Sequence, residues 1–281
     1  MINNNSISIG LNPLVGQEFF DTLMAYDNFI RDFFFGLYHC IGGKTLSRNN
    51  EINRLIKFDT YDYPANILFN HYYDEDQVLM DIDQVMNIVN LKHITVLDPA
   101  LSPIIKRKFP EIEVQLSVRF WDWGRFPNPI ARLPEIQSMG IDVVNVSGKL
   151  SYNDFEFINK VHELGMLVKF ITDEGCIVGV DCNYSRFQGF NDFMCRPNPF
   201  QRRTCSSGCF AVQEKYKWMD IATNDLYKES LQYYPKIDIF KISGRARRLD
   251  YITYLLSYWT SDDKTTYINT HHGSIDRLCR L

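Results

Sequence analysis

Eight short apolar segments recur along the chain, each followed by a longer stretch. They are ISIGLN (7–12), FFFGLY (33–38), ANILFNH (65–71), ITVLD (94–98), EVQLSVR (113–119), VVNVSG (143–148), LVKFIT (167–172) and DIFKISG (238–244). Most are continuous β-branched or aromatic runs, which are typical of parallel strands buried on both faces. Apolar residues at helical spacing occupy the stretches between them, such as QEFFDTLMAYDNFIRD, DQVMNIVN, NPIARLPEIQSMG and YNDFEFINKVHELG. The Met-Gly and Leu-Gly pairs that close the last two predict helix ends.

Eight strand–helix units predict a (β/α)8 barrel of the TIM type, and we expect one such domain over residues 1–281. A doubly wound open sheet is the alternative, and eight units make it less favoured. The units follow one another at short, regular spacing except after the seventh strand. There residues 173–235 form a long insertion, placed where the loops of such barrels build active sites.

The insertion holds five of the seven cysteines: Cys176, Cys182, Cys195, Cys205 and Cys209. Cys176 and Cys182 form one pair, and Cys205 and Cys209 form a second. Four thiolates from one loop suit either zinc or an iron–sulfur cluster. Neither pair has the C-x2-C spacing of a zinc knuckle, so the spacing favours a 4Fe–4S cluster, with zinc as the less favoured ligand and core cysteines as the remaining possibility.

Two other cysteines bear on the ligand set. Cys195 or Cys40 could replace one of the four ligands, whereas Cys279 lies near the carboxyl terminus and is expected to be a bystander. A radical S-adenosylmethionine site needs C-x3-C-x2-C, and Val212 stands where the third cysteine of that motif would be. That chemistry is therefore not expected.

Composition narrows the class of partner. The formal net charge is −4, which does not favour nucleic acid as a partner, although it does not exclude it. No basic segment followed by an apolar core opens the chain, and no apolar run is long enough for a membrane span. We therefore expect a cytoplasmic protein without a membrane partner. A reducing compartment disfavours disulfides, which supports cysteines as ligands or core residues.

Polar residues at the ends of the predicted strands are expected to face the mouth of the barrel. They are Asn12, Asn70, His71, Asp98, Ser117, Arg119, Glu174, Lys241 and Arg245. Each could equally be a satisfied loop residue. Because guanidinium groups match carboxylate geometry, Arg119, Lys241 and Arg245 could clamp a small anionic substrate.

Three further groups could take part in catalysis or binding. His71 has a reference pKa near neutrality and could transfer protons together with Glu174. Trp218, like Trp121 and Trp123, could stack on a planar substrate, although packing is at least as good an explanation. No Gly-rich phosphate-binding loop and no protease constellation are present in the sequence.

Several of these segments resemble a known family. FKISGRARR (240–248) is similar to the Lys-Ile-x-Gly-Arg signature on the last barrel strand of the collagenase-like peptidases, family U32. EGCIVGVDC (174–182) resembles the Glu-Gly-Cys segment of a subgroup with closer cysteines. YKWMDIATNDLY (216–227) is similar to the stretch that links the second cysteine pair to the last strand. A further cysteine of some members would fall near NDLY (224–227), where this chain has none.

The resemblance implies a TIM-like barrel that often carries a four-cysteine iron–sulfur cluster, and some members assist oxygen-independent hydroxylation. The expected function is an iron–sulfur-dependent redox modification of a small molecule, a peptide or RNA. An anionic small molecule, and an electron-transfer or biosynthetic partner protein, are the expected partners. The alternatives are a non-catalytic electron-transfer protein, a peptidase as the family name implies, or a zinc-stabilised binding barrel.

Overall fold

A computed structural model describes residues 6–11, 17–36, 62–69, 75–118, 120, 128–146, 155–172, 236–242 and 249–261. Eight parallel strands form a closed barrel in chain order. The strands are β1 Ile7–Gly10, β2 Ile30–Gly36, β3 Ala65–Phe69, β4 Leu91–Val96, β5 Glu113–Leu116, β6 Val143–Val146, β7 Leu167–Ile171 and β8 Ile239–Ile242. The barrel closes where β8 pairs with β1. The predicted (β/α)8 fold is confirmed.

Helices lie between the strands of the described part of the chain. They are α1 Gln17–Leu23, α2 Glu75–Met86, α3 Leu101–Lys108, α4 Leu133–Ser138, α5 Phe155–Glu163 and α6 Leu249–Thr260. Short 3-10 helices at Met24–Phe29 and Ile130–Arg132 continue α1 and precede α4. Helices α4 and α5 end at Gly140 and Gly165, whose φ angles of 82° and 75° lie in the left-handed region that favours glycine. The two predicted helix ends are confirmed.

All eight predicted strands are present, but two of them begin earlier than the apolar runs indicated. Strand β2 starts at Ile30, so the segment IRD (30–32), which the helical spacing assigned to the preceding helix, is strand. Strand β4 starts at Leu91 and therefore includes His93. In both cases the missed residues include charged or polar side chains, which interrupt the apolar pattern from which the strands were inferred.

The main hydrophobic core lies between the outer face of the barrel and the helices. Alternate strand residues such as Ile9, Phe33 and Val144 are buried there, in one core cluster with Phe20 of α1 and Trp259 of α6. The Phe20 and Phe33 rings meet edge to face, with centroids 5.8 Å apart. Burying large apolar side chains on this outer face drives the helices onto the barrel, and it leaves the opposite face of each strand to line the interior.

Two aspartates hold the amino ends of the strands together. Asp142, just before β6, accepts a hydrogen bond from the Val114 backbone N–H of β5 at 2.7 Å. Asp238, just before β8, accepts one from Val168 of β7 at 2.7 Å and lies 2.8 Å from His162 Nε2. The same aspartate–backbone hydrogen bond therefore links β5 to β6 and β7 to β8 at the amino-terminal end of the barrel.

Within the described ranges, none of the helices is both long enough and apolar enough to cross a membrane.

Candidate active site

The interior of the barrel is mostly polar. The strand registers and the contacts across the barrel arrange twelve inward side chains in three layers of four, each from alternate strands, and Leu68 and Ile171 face inward above them. From the amino ends upward, the lower layer is Asp32, His93, Val143 and Ile239, the middle layer is Ser8, Asn66, Gln115 and Lys169, and the upper layer is Phe34, Thr95, Asn145 and Lys241. Such interiors are usually filled by Val, Ile and Leu. Here most of the twelve side chains can form hydrogen bonds.

An ion pair joins the lower and middle layers. The Nζ atom of Lys169 lies 3.6 Å from Oδ2 of Asp32, and both side chains are fully buried. His93 Nδ1 lies 3.0 Å from the same carboxylate oxygen, and the Ser8 hydroxyl donates to the other. Two basic groups and a hydroxyl therefore surround one buried carboxylate.

The pKa values of this pair follow from its burial and its neighbours. Burial by itself raises the pKa of Asp32, but Lys169, His93 and Ser8 together outweigh burial and hold that pKa well below the usual aspartate range. Burial lowers the pKa of Lys169 below the ordinary lysine value, although Asp32 and Glu113 oppose this shift. Asp32 therefore carries a negative charge at neutral pH.

The network reaches the amino-terminal face of the barrel. Arg31 and Glu113, near the starts of β2 and β5, form a salt bridge. Glu113 Oε1 lies 3.9 Å from His93 Nε2 and accepts a hydrogen bond from Gln115 Nε2 at 2.8 Å. The side chains of Arg31 and Glu113 are each 20% exposed, and that of His93 is 11% exposed. Solvent thus meets the buried Asp32 cluster from the amino-terminal side.

In the middle layer, several side chains form hydrogen bonds to the amide oxygen of Gln115. Gln115 Oε1 accepts hydrogen bonds from Lys169 Nζ at 3.0 Å and from Asn66 Nδ2 at 3.1 Å. The Thr95 hydroxyl lies 3.0 Å from Asn66 Oδ1 and 3.3 Å from Gln115 Oε1. Both ends of the Asn66 amide are therefore satisfied, and the middle layer is a cross-linked platform.

The upper layer contains one buried oxygen that the described residues leave unpaired. Lys241 Nζ lies 4.2 Å from the centroid of the Phe34 ring, and Lys169 Nζ approaches the same ring at 5.9 Å. Asn145 Nδ2 donates to the Leu116 carbonyl at 2.8 Å. Among the described residues, the Asn145 Oδ1 atom has no hydrogen-bond partner although it is buried. This layer stands on the carboxyl side of the platform, where barrel enzymes carry their active sites.

The structure places three of the residues singled out from the sequence. Lys241 is 8% exposed and lies inside the barrel in the upper layer. Ser117 is buried directly after β5, and its backbone N–H donates to Val96 at 2.8 Å. Asp98 Oδ1 accepts from the Ala100 backbone N–H at 2.9 Å, so this carboxylate caps the turn that leads into α3. A local cap is the satisfied loop residue that the sequence left open as an alternative.

The other predicted site residues lie outside the described residues. They are Asn12, Asn70, His71, Arg119, Trp121, Trp123, Glu174, Trp218, Arg245 and the cysteines Cys40, Cys176, Cys182, Cys195, Cys205, Cys209 and Cys279. The ranges given above contain no group of three or more His, Cys, Asp or Glu side chains that could hold a metal ion. Since no cysteine falls within those ranges, the predicted cluster ligands stay a prediction.

Sequence reasoning missed most of the polar interior: Ser8, Asp32, Asn66, His93, Thr95, Gln115, Asn145 and Lys169. A signal was available, because single polar residues are bracketed by apolar neighbours in ISIG, VVNV, LVKFI and IFKI. A polar residue at the centre of a strand with apolar flanks indicates a side chain that faces away from the helices.

The chain matches no known family model and no curated protein. Among solved structures, it is similar to a U32 peptidase, with a TM-score of 0.50 and 13% identity over 86% of this chain and 92% of that one. It is also similar to the tryptophan synthase A-subunit from Pyrococcus furiosus, with a TM-score of 0.46 and 10% identity over 96% of this chain and 97% of that one. A third similar structure is dihydropteroate synthase from Xanthomonas albilineans. Its TM-score is 0.39, with 11% identity over 92% of this chain and 93% of that one. The likeness to the U32 peptidase structure confirms the barrel fold.

Proposed function

We propose that this chain is a relative of the U32 family and an iron–sulfur-dependent barrel enzyme. Its reaction would be oxygen-independent hydroxylation, or a related redox modification, of a small molecule, a peptide or RNA. The observation that carries the proposal is topological. Strands β7 and β8 are paired neighbours, so residues 173–235, with five cysteines, leave the barrel at the carboxyl end of β7. In barrels of this type the loops at that end build the active site.

The donor chemistry of the connection supports a cluster. Cys176, Cys182, Cys205 and Cys209 offer four thiolates, the set that binds a 4Fe–4S cluster. Such a cluster, when bound, supplies one-electron transfer. Zinc bound by the same thiolates would instead give a binding barrel without redox chemistry.

The remaining roles belong to the residues of the barrel and its loops. Lys241, with Arg119 and Arg245, would orient an anionic group of the substrate by charge-assisted hydrogen bonds. Glu174 and His71 would hold or move a proton. Asn70 and Trp218 would contact the substrate. A redox cluster needs an external source of electrons. The proposed partner is therefore an electron-donor or biosynthetic protein.

The first test is the content of iron, acid-labile sulfide and zinc in the full chain purified anaerobically. About four irons and four sulfides per chain, with the broad visible absorption of thiolate-ligated iron, are expected. Cys182→Ala and Cys209→Ala are expected to lose most of the iron. Cys279→Ala is the matched control and is expected to keep it. Stoichiometric zinc, or equal iron in all three variants, would contradict the proposal.

A further inference from the structure

Asn145 presents a hydrogen-bond acceptor that the described part of the protein does not use. Its side chain is fully buried, and it faces the barrel interior because its neighbours Val144 and Val146 belong to the outer core. The Nδ2 group is committed to the Leu116 carbonyl at 2.8 Å, which fixes the orientation of the amide. Oδ1 is then left without a donor among the described residues. A buried amide oxygen without a partner costs stability, so it is rarely retained without a reason.

Asn66 shows how the same residue type is treated where it is structural. It lies in the middle layer, donates to Gln115 and accepts from Thr95. Both asparagines are buried and inward-facing, yet only Asn66 has its carbonyl oxygen satisfied. The difference between them is their height in the barrel.

The described residues leave room at one point near the carboxyl end of the barrel. Strands β1 and β2 both end in glycine, at Gly10 and Gly36. A Cβ atom added at Gly36 would meet no atom within 4 Å in the described structure. Gly36 follows Phe34 by two residues and so faces the same side of β2. The described residues therefore leave space at Gly36, on the carboxyl side of Phe34 along β2.

Lys241 supplies a donor in the same layer. Its ammonium lies 4.2 Å from the Phe34 centroid and carries three hydrogens. A cation over an aromatic face and a fixed acceptor in the same layer are the kind of polar groups that converge in a ligand site.

We propose that the upper layer is the floor of the substrate site, and that Asn145 Oδ1 accepts a hydrogen bond from a hydroxyl or N–H of the substrate while Lys241 binds an adjacent acceptor group. This rests on the proposed function, which places the substrate at the carboxyl end of the barrel. The substrate class is a small molecule with a hydrogen-bond donor next to an acceptor. Asn145 selects for the donor because an analogue without it leaves the buried oxygen unsatisfied.

The test compares two probes, of which only one carries that donor. Glycolate carries a hydroxyl beside its carboxylate, and methoxyacetate replaces the hydroxyl with a methyl ether. Dissociation constants are measured by ligand-observed NMR on the anaerobically purified full chain. Wild type is expected to bind glycolate at least about tenfold more tightly than methoxyacetate. In Asn145→Leu the ratio is expected to fall to about one, whereas Asn87→Leu, at an exposed asparagine, keeps it.

A second variant keeps the test decisive if Asn145→Leu does not fold. Gly36→Val fills the open space without touching the polar groups, so glycolate binding is expected to disappear while the urea midpoint stays unchanged. Equal affinities of the two probes for wild type, no binding of either, or an unchanged ratio in the variants would overturn the proposal.

The two proposals fail separately. Absence of iron and sulfide, with the probe ratio intact, removes the iron–sulfur function and leaves the donor-selective site. A full iron complement, with equal affinity for glycolate and methoxyacetate, removes the donor-selective site and leaves the iron–sulfur function.

Discussion

The lower and upper halves of the barrel interior use similar polar residues but pair them to different degrees. Below the upper layer, the Asp32 carboxylate contacts Lys169, His93 and Ser8, and the Gln115 amide oxygen accepts from Lys169 and Asn66. In the upper layer, Asn145 Oδ1 is buried without a described donor. In the lower layer, Asp32 Oδ2 and His93 Nδ1 also lack a hydrogen bond of good geometry, but they lie 3.0 Å from each other. Full pairing is what stability requires of buried polar groups, and a departure from it indicates a functional site.

The positions of the two halves agree with this division. The paired half opens to solvent at the amino-terminal face, through Arg31, Glu113 and His93. In TIM barrels that face serves stability, whereas the carboxyl face serves catalysis. We therefore expect substitutions in the lower half to change the free energy of unfolding, and those in the upper half to change binding.

The largest expected effect is the loss of Asp32. Asp32→Ala leaves Lys169 buried without its carboxylate, and breaking a buried ion pair typically costs about 3–5 kcal/mol of unfolding free energy. Urea unfolding followed by circular dichroism measures the change. The double variant Asp32→Leu with Lys169→Met replaces both charges by apolar groups and is expected to recover most of the loss. A loss below about 1 kcal/mol in the single variant would show that the pair is not essential to the lower half.

We also expect the lower half, through Asp32, to contribute to the pH dependence of the unfolding free energy. Because Asp32 has a folded pKa held well below its unfolded value, its contribution is present above the unfolded pKa and is lost as pH falls. Below about pH 4 the unfolded chain binds a proton at this site that the folded chain does not, which lowers stability by about 1.4 kcal/mol per pH unit. Asp32→Asn is expected to flatten the slope of unfolding free energy by about 1 kcal/mol per pH unit between about pH 4 and pH 3, and by more at lower pH. An unchanged slope would mean that other carboxylates dominate acid unfolding.

The barrel could be predicted from the sequence because its outer face carries the signal. Residues such as Ile9, Phe33 and Val144 must bury against helices, so every strand contributes an apolar run. The pairing of the interior could not be predicted, because it depends on register and strand tilt. Nothing in the sequence places Lys169 beside Asp32, which is far away along the chain.

The candidate site was predicted only in part. Lys241 was identified because it lies near the end of a predicted strand, and the structure places it inside the barrel. Asn145 was missed because VVNVSG reads as a buried strand, and a single asparagine there carries no motif. Asn145 stands out because its Oδ1 atom has no described hydrogen-bond donor, and this can be known only when the positions of its neighbours are known.

The smallest expected effects are those of replacing a glycine by alanine at each end of the barrel. Gly140, in the turn before β6 at the amino-terminal end, has a φ of 82°, so Gly140→Ala is expected to cost about 1 kcal/mol of unfolding free energy through backbone strain. Gly36, at the carboxyl end, is not in that region, and a Cβ there meets no atom within 4 Å of the described structure. Gly36→Ala is therefore expected to change the unfolding free energy by less than about 0.5 kcal/mol. Urea unfolding of both variants side by side measures the difference, and a cost of about 1 kcal/mol at Gly36 would mean that the space there is filled. Because the expected space at Gly36 is what a ligand would occupy, this small difference in stability bears directly on the binding site.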